Sequence, residues 1–324
     1  MSENLVNLYT TQYSTLLELL LQQMGSKLRG KVREGSHVGK MASPINQVGA
    51  IQLKAPAGRF APKDRTDASL NRRWVFPQDG EINQLVDSFD QLKTLVDPKN
   101  EYATNAAMAV GRAYDDALIA AAFGSASLGV DAGGLTTETF DGHYTDDSPA
   151  GFVVEDDFGA SAATGLTVAK MIEAKRVLRK YHNDFDTDPL TLVIGSQQEA
   201  DLLNQAQVVS TDFNVAPGDR PVLVDGKVVR LMGFDIVVME RLPILISSSP
   251  GYQNTNTRGC IAFVKSGLYL GMWQDMTNRI SQRNDLSSEP WQIYTKASFG
   301  ATRTQPGKII MIQAKDATGA DITN

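Results

Sequence analysis

Cysteine is nearly missing from this chain: Cys260, inside the apolar string Gly259–Val264, is the only one in 324 residues. A disulfide within one chain is excluded, and the composition suits a reducing cytoplasm. Histidine is almost as scarce. His37, His143 and His182 lie far apart in sequence, so a zinc site or a catalytic imidazole would have to be assembled by folding alone. No Walker loop, no GxGxxG opening a helix after a strand, no GxSxG elbow and no HExxH occurs, which removes the usual signatures of nucleotide, hydrolase and metalloprotease chemistry. Asp184, Asp186 and Asp188 begin like a calcium loop, but Pro189 stands where the turn needs glycine and Gly195 where a bidentate glutamate belongs, so a solvated acidic turn is expected. Long apolar runs are also lacking. Leu16, Leu17, Leu19, Leu20 and Leu21 are interrupted by Glu18, far short of the roughly 20 residues that span a bilayer. Glu3, Gln22, Gln23 and Met24 do not fit a secretory leader, so the protein is expected to act where it is made, without a membrane.

Positive charge is in deficit overall, with a net of −6, which argues against a dedicated nucleic-acid reader. Its distribution is uneven. Residues 1–80 carry eleven basic and six acidic side chains, a net of +5, which leaves −11 for the remainder. The dense basic run Lys27 to Arg33 lacks the interleaved aromatics of single-strand binders, so a neighbour's acidic surface is its preferred partner. Only ten of the 51 residues from 25 to 75 are Leu, Ile, Val or Phe, too few to offset about 1–2 kcal/mol per residue of backbone ordering. Such an arm is expected to become ordered on another copy of the chain. Lys27, Arg29, Lys31, Arg33, Lys54, Arg59, Lys63, Arg65, Arg72 and Arg73 are its candidate contact residues. Removing residues 1–35 is expected to leave a foldable body that cannot assemble.

The coarse pattern mixes helix and strand. Leu5, Tyr9, Tyr13, Leu16, Leu20 and Met24 repeat at helical spacing over 4–24, and frequent Gly and Pro then break the chain to Pro77. Ile45 to Lys54 and Leu70 to Phe76 read as a long hairpin. A helix is expected over Glu81 to Val96, and a longer one over Ala103–Phe123, with a buried stripe of Ala103, Ala106, Ala107, Val110, Ala113, Ala117 and Ala121. On it, Asp115 and Asp116 are adjacent and diverge, which makes them a poor acid/base pair. They are expected to meet a neighbour's arm arginines or water.

Residues 125–165 read as a loop or an exposed β excursion, and Val168 to Tyr181 as a helix whose Lys170, Lys175, Arg176, Arg179 and Lys180 are solvated. Leu190–Ile194 is a buried strand. Ser196 caps the helix that follows, with Glu199 completing a capping box. Val222 to Val229 is a hairpin turning at Asp225-Gly226, and Phe234 to Met239 continues the sheet. Strands Cys260–Val264, Leu268–Trp273, Ile280–Arg283, Trp291–Phe299 and Lys308–Ala314 close the chain. In the fourth, Trp291, Ile293, Thr295, Ala297 and Phe299 share a face, and the alanine helix is its expected cover. The fold class is α+β.

Gly111-Arg-Ala-Tyr-Asp-Asp-Ala-Leu-Ile-Ala-Ala-Ala-Phe-Gly124 and Lys296-Ala-Ser-Phe-Gly-Ala-Thr-Arg303, together with the order of parts, resemble the major capsid proteins of tailed double-stranded DNA bacteriophages, which share the Hong Kong 97-type shell fold. The resemblance implies an N-terminal arm over 1–37 and an extended loop over 38–78. It implies a peripheral domain over 79–165 and 256–324 with spine helix 103–123, and an axial domain over 166–255. It further implies a structural subunit without cofactor or catalysis, forming hexamers and pentamers of an icosahedral head around double-stranded DNA. Scaffolding, portal and decoration proteins are the implied partners, the scaffold because no acidic helical pro-segment precedes the arm. The place is the virion, after assembly in a bacterial host's cytoplasm. Lys54 and Lys63 lie where some members form cross-links, but cross-linking is not expected here. An encapsulin-like nanocompartment shell and a soluble α/β enzyme with residues 25–80 as a lid are the alternatives.

Overall fold

The structure, a computed structural model, describes residues 22–55, 65–86, 99–130, 134–140, 151–205, 223–224, 227–245, 257–287 and 289–316. In chain order the strands and helices are β1 (Arg33–Ser36), β2 (Ala42–Val48), β3 (Leu70–Val75), β4 (Gln78–Val86), α1 (Lys99–Phe123), β5 (Ala126–Leu128), β6 (Thr136–Glu138) and β7 (Val153–Val154). Then come α2 (Val168–Lys180), β8 (Leu190–Ile194), α3 (Ser196–Leu203), β9 (Leu223–Val224), β10 (Lys227–Val228), β11 (Arg230–Leu231) and β12 (Phe234–Val238). The last are β13 (Ile244–Leu245), β14 (Thr257–Val264), β15 (Leu268–Gln282), β16 (Trp291–Arg303) and β17 (Ile309–Lys315). Residues 4–21 of the expected N-terminal helix and most of the second one, 87–96, lie outside the described residues, and 22–24 are not helical. The chain divides into a smaller unit, Met1–Ser26, Gln78–Ala113 and Gln274–Ser298, and a larger one, Lys27–Pro77, Tyr114–Trp273 and Phe299–Asn324.

In the larger unit, β11, β12, β8, β14, β17 and β7 lie side by side in that order, and β13 pairs with β14 as the seventh strand of the sheet. Its central strands read as unbroken apolar runs because both faces are covered: every residue of β8 and of β14 is buried, as are Ile309 to Ala314 of β17. The sheet draws strands from both sides of residue 255. Helix α2 packs against β17 and β7 through Val168, Met171, Ala174, Val177 and Leu178, spaced three and four apart. Thr167 starts it, its side chain accepting the backbone N–H of Lys170. The expected cap of α3 is different: Gly195 is the cap residue, Ser196 donates its backbone N–H to Glu240 Oε1 at 2.6 Å, and Glu199 accepts from Val228 N. A strand neighbour outcompeted the local box.

Lys170, read as solvated, is fully buried. Its Nζ donates to the carbonyls of Asp156 (2.8 Å), Thr164 (2.8 Å), Gly165 (3.0 Å) and Gln313 (3.1 Å). One ammonium thereby ties the 156–165 loop to β17. Beside it, Arg258 meets Asp316 at 2.8 Å, with both side chains buried, and Thr257 Oγ1 bonds Asp156 Oδ2.

A second sheet in this unit has the order β2-β3-β5-β6, with β2 and β3 antiparallel as the hairpin expectation required. β9 and β10 likewise pair antiparallel around the expected turn, whose two residues lie outside the described ones. In the smaller unit, β4 and the facing stretches of β15 and β16 run side by side, linked by Tyr294 Oη to Glu81, Gln292 Nε2 to Asn83 and Thr295 Oγ1 to Asn278. Residues 81–86, expected to begin a helix, are therefore strand. Ile82, Gln84 and Val86 turn inward while Leu85 stays half exposed, so sheet pairing overrode a local helical spacing. Two expected strands, 268–273 and 280–283, are one continuous β15.

Replacing Lys170 by Met strands four carbonyls, two in buried and two in part-buried hydrogen bonds, and is expected to cost about 3 kcal/mol in urea unfolding. Burial pushes the Lys170 pKa down from 10.5 to about 8, against the pull of Asp156. Between those values the unfolded chain binds more protons, so this lysine adds stability as pH rises. The gap between wild type and Lys170→Met is expected to be wider at pH 10.5 than at pH 8; a gap that narrows contradicts this account.

Candidate functional site

The residues expected to join subunits fall into two groups, and the first is the seat of the arm. In the larger unit, Asp115 is fully buried and accepts the backbone N–H of Lys27 at 3.0 Å and of Leu28 at 3.1 Å. Leu28 and Val32 are buried, each worth about 1.5–3 kcal/mol. β1 adds to the start of β15 in parallel, Arg33 opposite Tyr269. Lys27 Nζ reaches the Val238 carbonyl at 2.8 Å, Lys31 pairs with Asp235 at 3.3 Å, and Arg29 pairs with Glu34 at 3.3 Å while its guanidinium lies 5.4 Å from the centre of the Tyr114 ring. Residues 27–36 are thus part of the body, against the expectation that this segment waits for another copy. Two apolar anchors and one carboxylate sufficed, because the backbone donors found a buried acceptor. Deletion of residues 1–35 would open the core as well as remove the arm.

In the smaller unit, Arg112 donates to Gln22 Oε1 at 2.6 Å and to the Gln23 carbonyl at 3.3 Å. Gly111 is required here. A Cβ on it would stand 2.7 Å from Gly25 C and Cα and from Ser26 N, closer than backbone atoms tolerate, so the crossing depends on a missing side chain.

Asp116 is engaged by an arginine of its own chain. It takes a two-pronged bond from Arg241, 2.7 Å to Nε and 2.5 Å to Nη2. The buried face of α1 is rotated from the expected alanine stripe: Ala106, Val110, Gly111, Tyr114, Asp115, Leu118, Ile119 and Ala122 are inside, while Ala113, Ala117 and Ala121 are partly exposed. The expected cover of β16 holds where Tyr114 meets Phe299 edge to face at 4.6 Å.

The second group lies on the β2–β3 hairpin and its continuation. Arg73 is buried and bonds Glu138 at 2.5 Å. Arg303, also buried, donates to the carbonyls of Ala122 (3.0 Å), Gly124 (2.8 Å) and Glu138 (3.2 Å), and so closes the C-terminal end of α1. Burial lowers its pKa to about 10, with Glu138 opposing. Arg33, Lys54 and Arg72 are exposed, Arg65 pairs with Asp67, and Arg59 and Lys63 lie outside the described residues. The apolar members are unexpected. Val48 and Leu70, directly opposite in register, are 64% and 63% exposed, and Ile51 and Leu53 stand out further along the chain. Sequence reading had ranked the charges above these residues, although their alternation with polar neighbours was visible.

Among the described residues, no three His, Cys, Asp or Glu side chains are placed to hold a metal ion. Cys260 is buried, its thiol pushed up to about 12 by desolvation.

Gly111→Ala is expected to unseat residues 22–26, and Asp115→Ala to free residues 27–28 at a cost of about 2–4 kcal/mol. Both should accelerate tryptic cleavage after Lys27 and Arg29; cleavage at the wild-type rate would contradict the seating described.

A family model described as phage capsid protein matches residues 5–316. No curated protein matches the sequence. Among solved structures, the chain is similar to the capsid of cyanophage Pam1 (14% identity, 96% of this chain and 98% of that one, TM-score 0.70) and to the capsid of cyanophage P-SCSP1u (14%, 96% and 94%, 0.69). It is also similar to a chain of Mycobacterium phage Che8 (16%, 94% and 97%, 0.61). These likenesses over nearly full length confirm the Hong Kong 97-like shell fold expected from the sequence. With a family match spanning almost every residue and a surface built for contact, this chain belongs to the phage capsid protein family and is a structural major capsid protein of the virion.

Proposed function

We propose that the protein forms hexamers and pentamers that close into an icosahedral head around double-stranded DNA, without catalytic activity. The observation that carries the reading is the exposure of four apolar side chains: Val48 and Leu70, opposed on a hairpin whose strands are anchored to the rest of the larger unit, and Ile51 and Leu53 just beyond β2. Apolar exposure of this kind in a monomer marks contact sites. A closed symmetric assembly supplies the cover, each copy presenting these side chains to the next. Exposed Arg33, Lys54 and Arg72 add positive charge toward a neighbour whose remaining surface is acidic.

On this reading residues 1–37 act as the arm, 38–78 as the extended loop, 79–165 and 256–324 as the peripheral domain, and 166–255 as the axial domain. The sheet that contains β8, β11, β12 and β13 also takes 153–154, 257–264 and 309–315, so the proposed axial domain would borrow these three strands from the stretches otherwise given to the peripheral domain. A scaffolding protein during assembly, a portal at one vertex and decoration proteins on the outside are the proposed partners, with assembly in the cytoplasm of a bacterial host.

The double variant Ile51→Lys with Leu53→Lys tests this. Both positions are exposed, so thermal stability should change by no more than about 0.5 kcal/mol. Closed shells, seen by negative-stain microscopy of wild type expressed with its scaffold, should be lost. Normal shells from the variant would refute the proposed role of these side chains.

A further inference from the structure

Helix α2 carries a concentration of positive charge that neither the core nor the arm uses. Arg179 and Lys180 are exposed, Lys175 is half exposed, and Arg230 comes alongside from β11. Lys175, Arg179 and Arg230 are held near one another, and Lys180 follows Arg179 in the helix. Lys175 Nζ donates to the Met232 carbonyl at 2.6 Å, in the turn between β11 and β12, and the Phe185 ring lies 6.0 Å from Lys175 Nζ and 5.3 Å from Arg179 Cζ. The ring supports the aliphatic stems while the charged ends stay in water. Desolvation, then Arg179 and Arg230, lower the pKa of Lys175, so this positive field is not relieved locally.

The neighbouring carboxylates are occupied elsewhere. Asp184 accepts from the Asp186 backbone N–H and the Thr187 hydroxyl, Asp188 binds Ser266, and Glu173 holds Arg176. Asp235 lies 3.7 Å from Arg230 but is shared with Lys31. Asp186 is exposed at the rim. Among the described residues no ion pair engages Lys175, Arg179 or Lys180.

We infer that this face of α2 binds the phosphates of double-stranded DNA. The inference rests on the proposed role as a DNA-enclosing shell, and it names the place of contact. A second copy of the chain is the competing occupant: its Glu34, Asp116, Asp235, Glu240 and Asp285 are each already paired with a cation of their own chain, while Asp79, Asp157 and Glu289 are exposed singly on separate stretches of sequence. A duplex offers unpaired anions at about one per 1.7 Å of its axis. Lys175 and Arg179 are one helical turn apart, about 6 Å, so the two can engage successive phosphates of one strand. The acidic remainder of the chain keeps such contact weak and local.

The test uses purified full-length protein before shell closure and a fluorescein-labelled 30-base-pair duplex of mixed sequence, followed by anisotropy at rising salt. For wild type, log affinity should fall with log salt with a slope of about −3, near −0.9 for each phosphate contacted. Arg179→Glu with Lys180→Glu should weaken binding at least tenfold at 50 mM salt. Arg179→Gln with Lys180→Gln should make the slope shallower by about 2, and it keeps the test open if the charge reversal fails to fold. Absence of wild-type binding at 50 mM salt, or an unchanged slope in the Gln variant, overturns the inference. Micrographs of the same variants separate the two readings: closed shells with lost DNA binding support this site, whereas failed shells with DNA binding intact assign the face to subunit contact and overturn it.

Discussion

The Asp115 carboxylate is the interaction on which the arm's seat depends. It is fully buried on α1 and accepts two consecutive backbone donors, from Lys27 and Leu28. A buried charge of this kind is tolerable only when fully bonded, and the same bonding satisfies amides that a core-poor segment could not otherwise bury. With those amides held, Leu28 and Val32 can go inside, and β1 can add to β15. The segment has too few apolar residues to fold by itself, yet two of them are enough once the carboxylate fixes the path.

Much of the architecture was legible in the letters. The long helix, the buried strand Leu190–Ile194 and the alternation of Trp291 to Phe299 rest on strong periodicity, and all three stand. Misreadings cluster where a distant partner decides. Residues 81–86 have helical spacing but lie beside β16, roughly two hundred residues later in the chain. Lys170 looked like one more surface cation because nothing local announces carbonyls contributed by 156–165 and by Gln313. The face of α1 was off by one position, since alanine content marks a good helix but Tyr114, Leu118 and Ile119 choose the side that is buried.

Charge was the least legible property at the level of single residues. Counting put an excess of cations in the first eighty residues and suggested that they all look outward. Instead they separate by depth. Arg73 is buried against Glu138, Lys31 and Arg29 close pairs within their own chain, and Arg33, Lys54 and Arg72 remain on the surface. A shell protein needs this division, because internal pairs hold the subunit's shape while outward ones leave assembly weak enough to correct errors. On the proposed reading, exposed Val48, Ile51, Leu53 and Leu70 would supply a contact that screening by salt does not weaken.

β17 has a further consequence. It lies inside the seven-stranded sheet, between β14 and β7, and supplies the Gln313 carbonyl to Lys170. During synthesis the middle of that sheet cannot close until residues 309–315, which follow every other described strand of the sheet, have left the ribosome. Until then the sheet lacks its link between β14 and β7, and Lys170 lacks one of its carbonyl partners. Among the described strands, the latest in the chain is the one that completes the core.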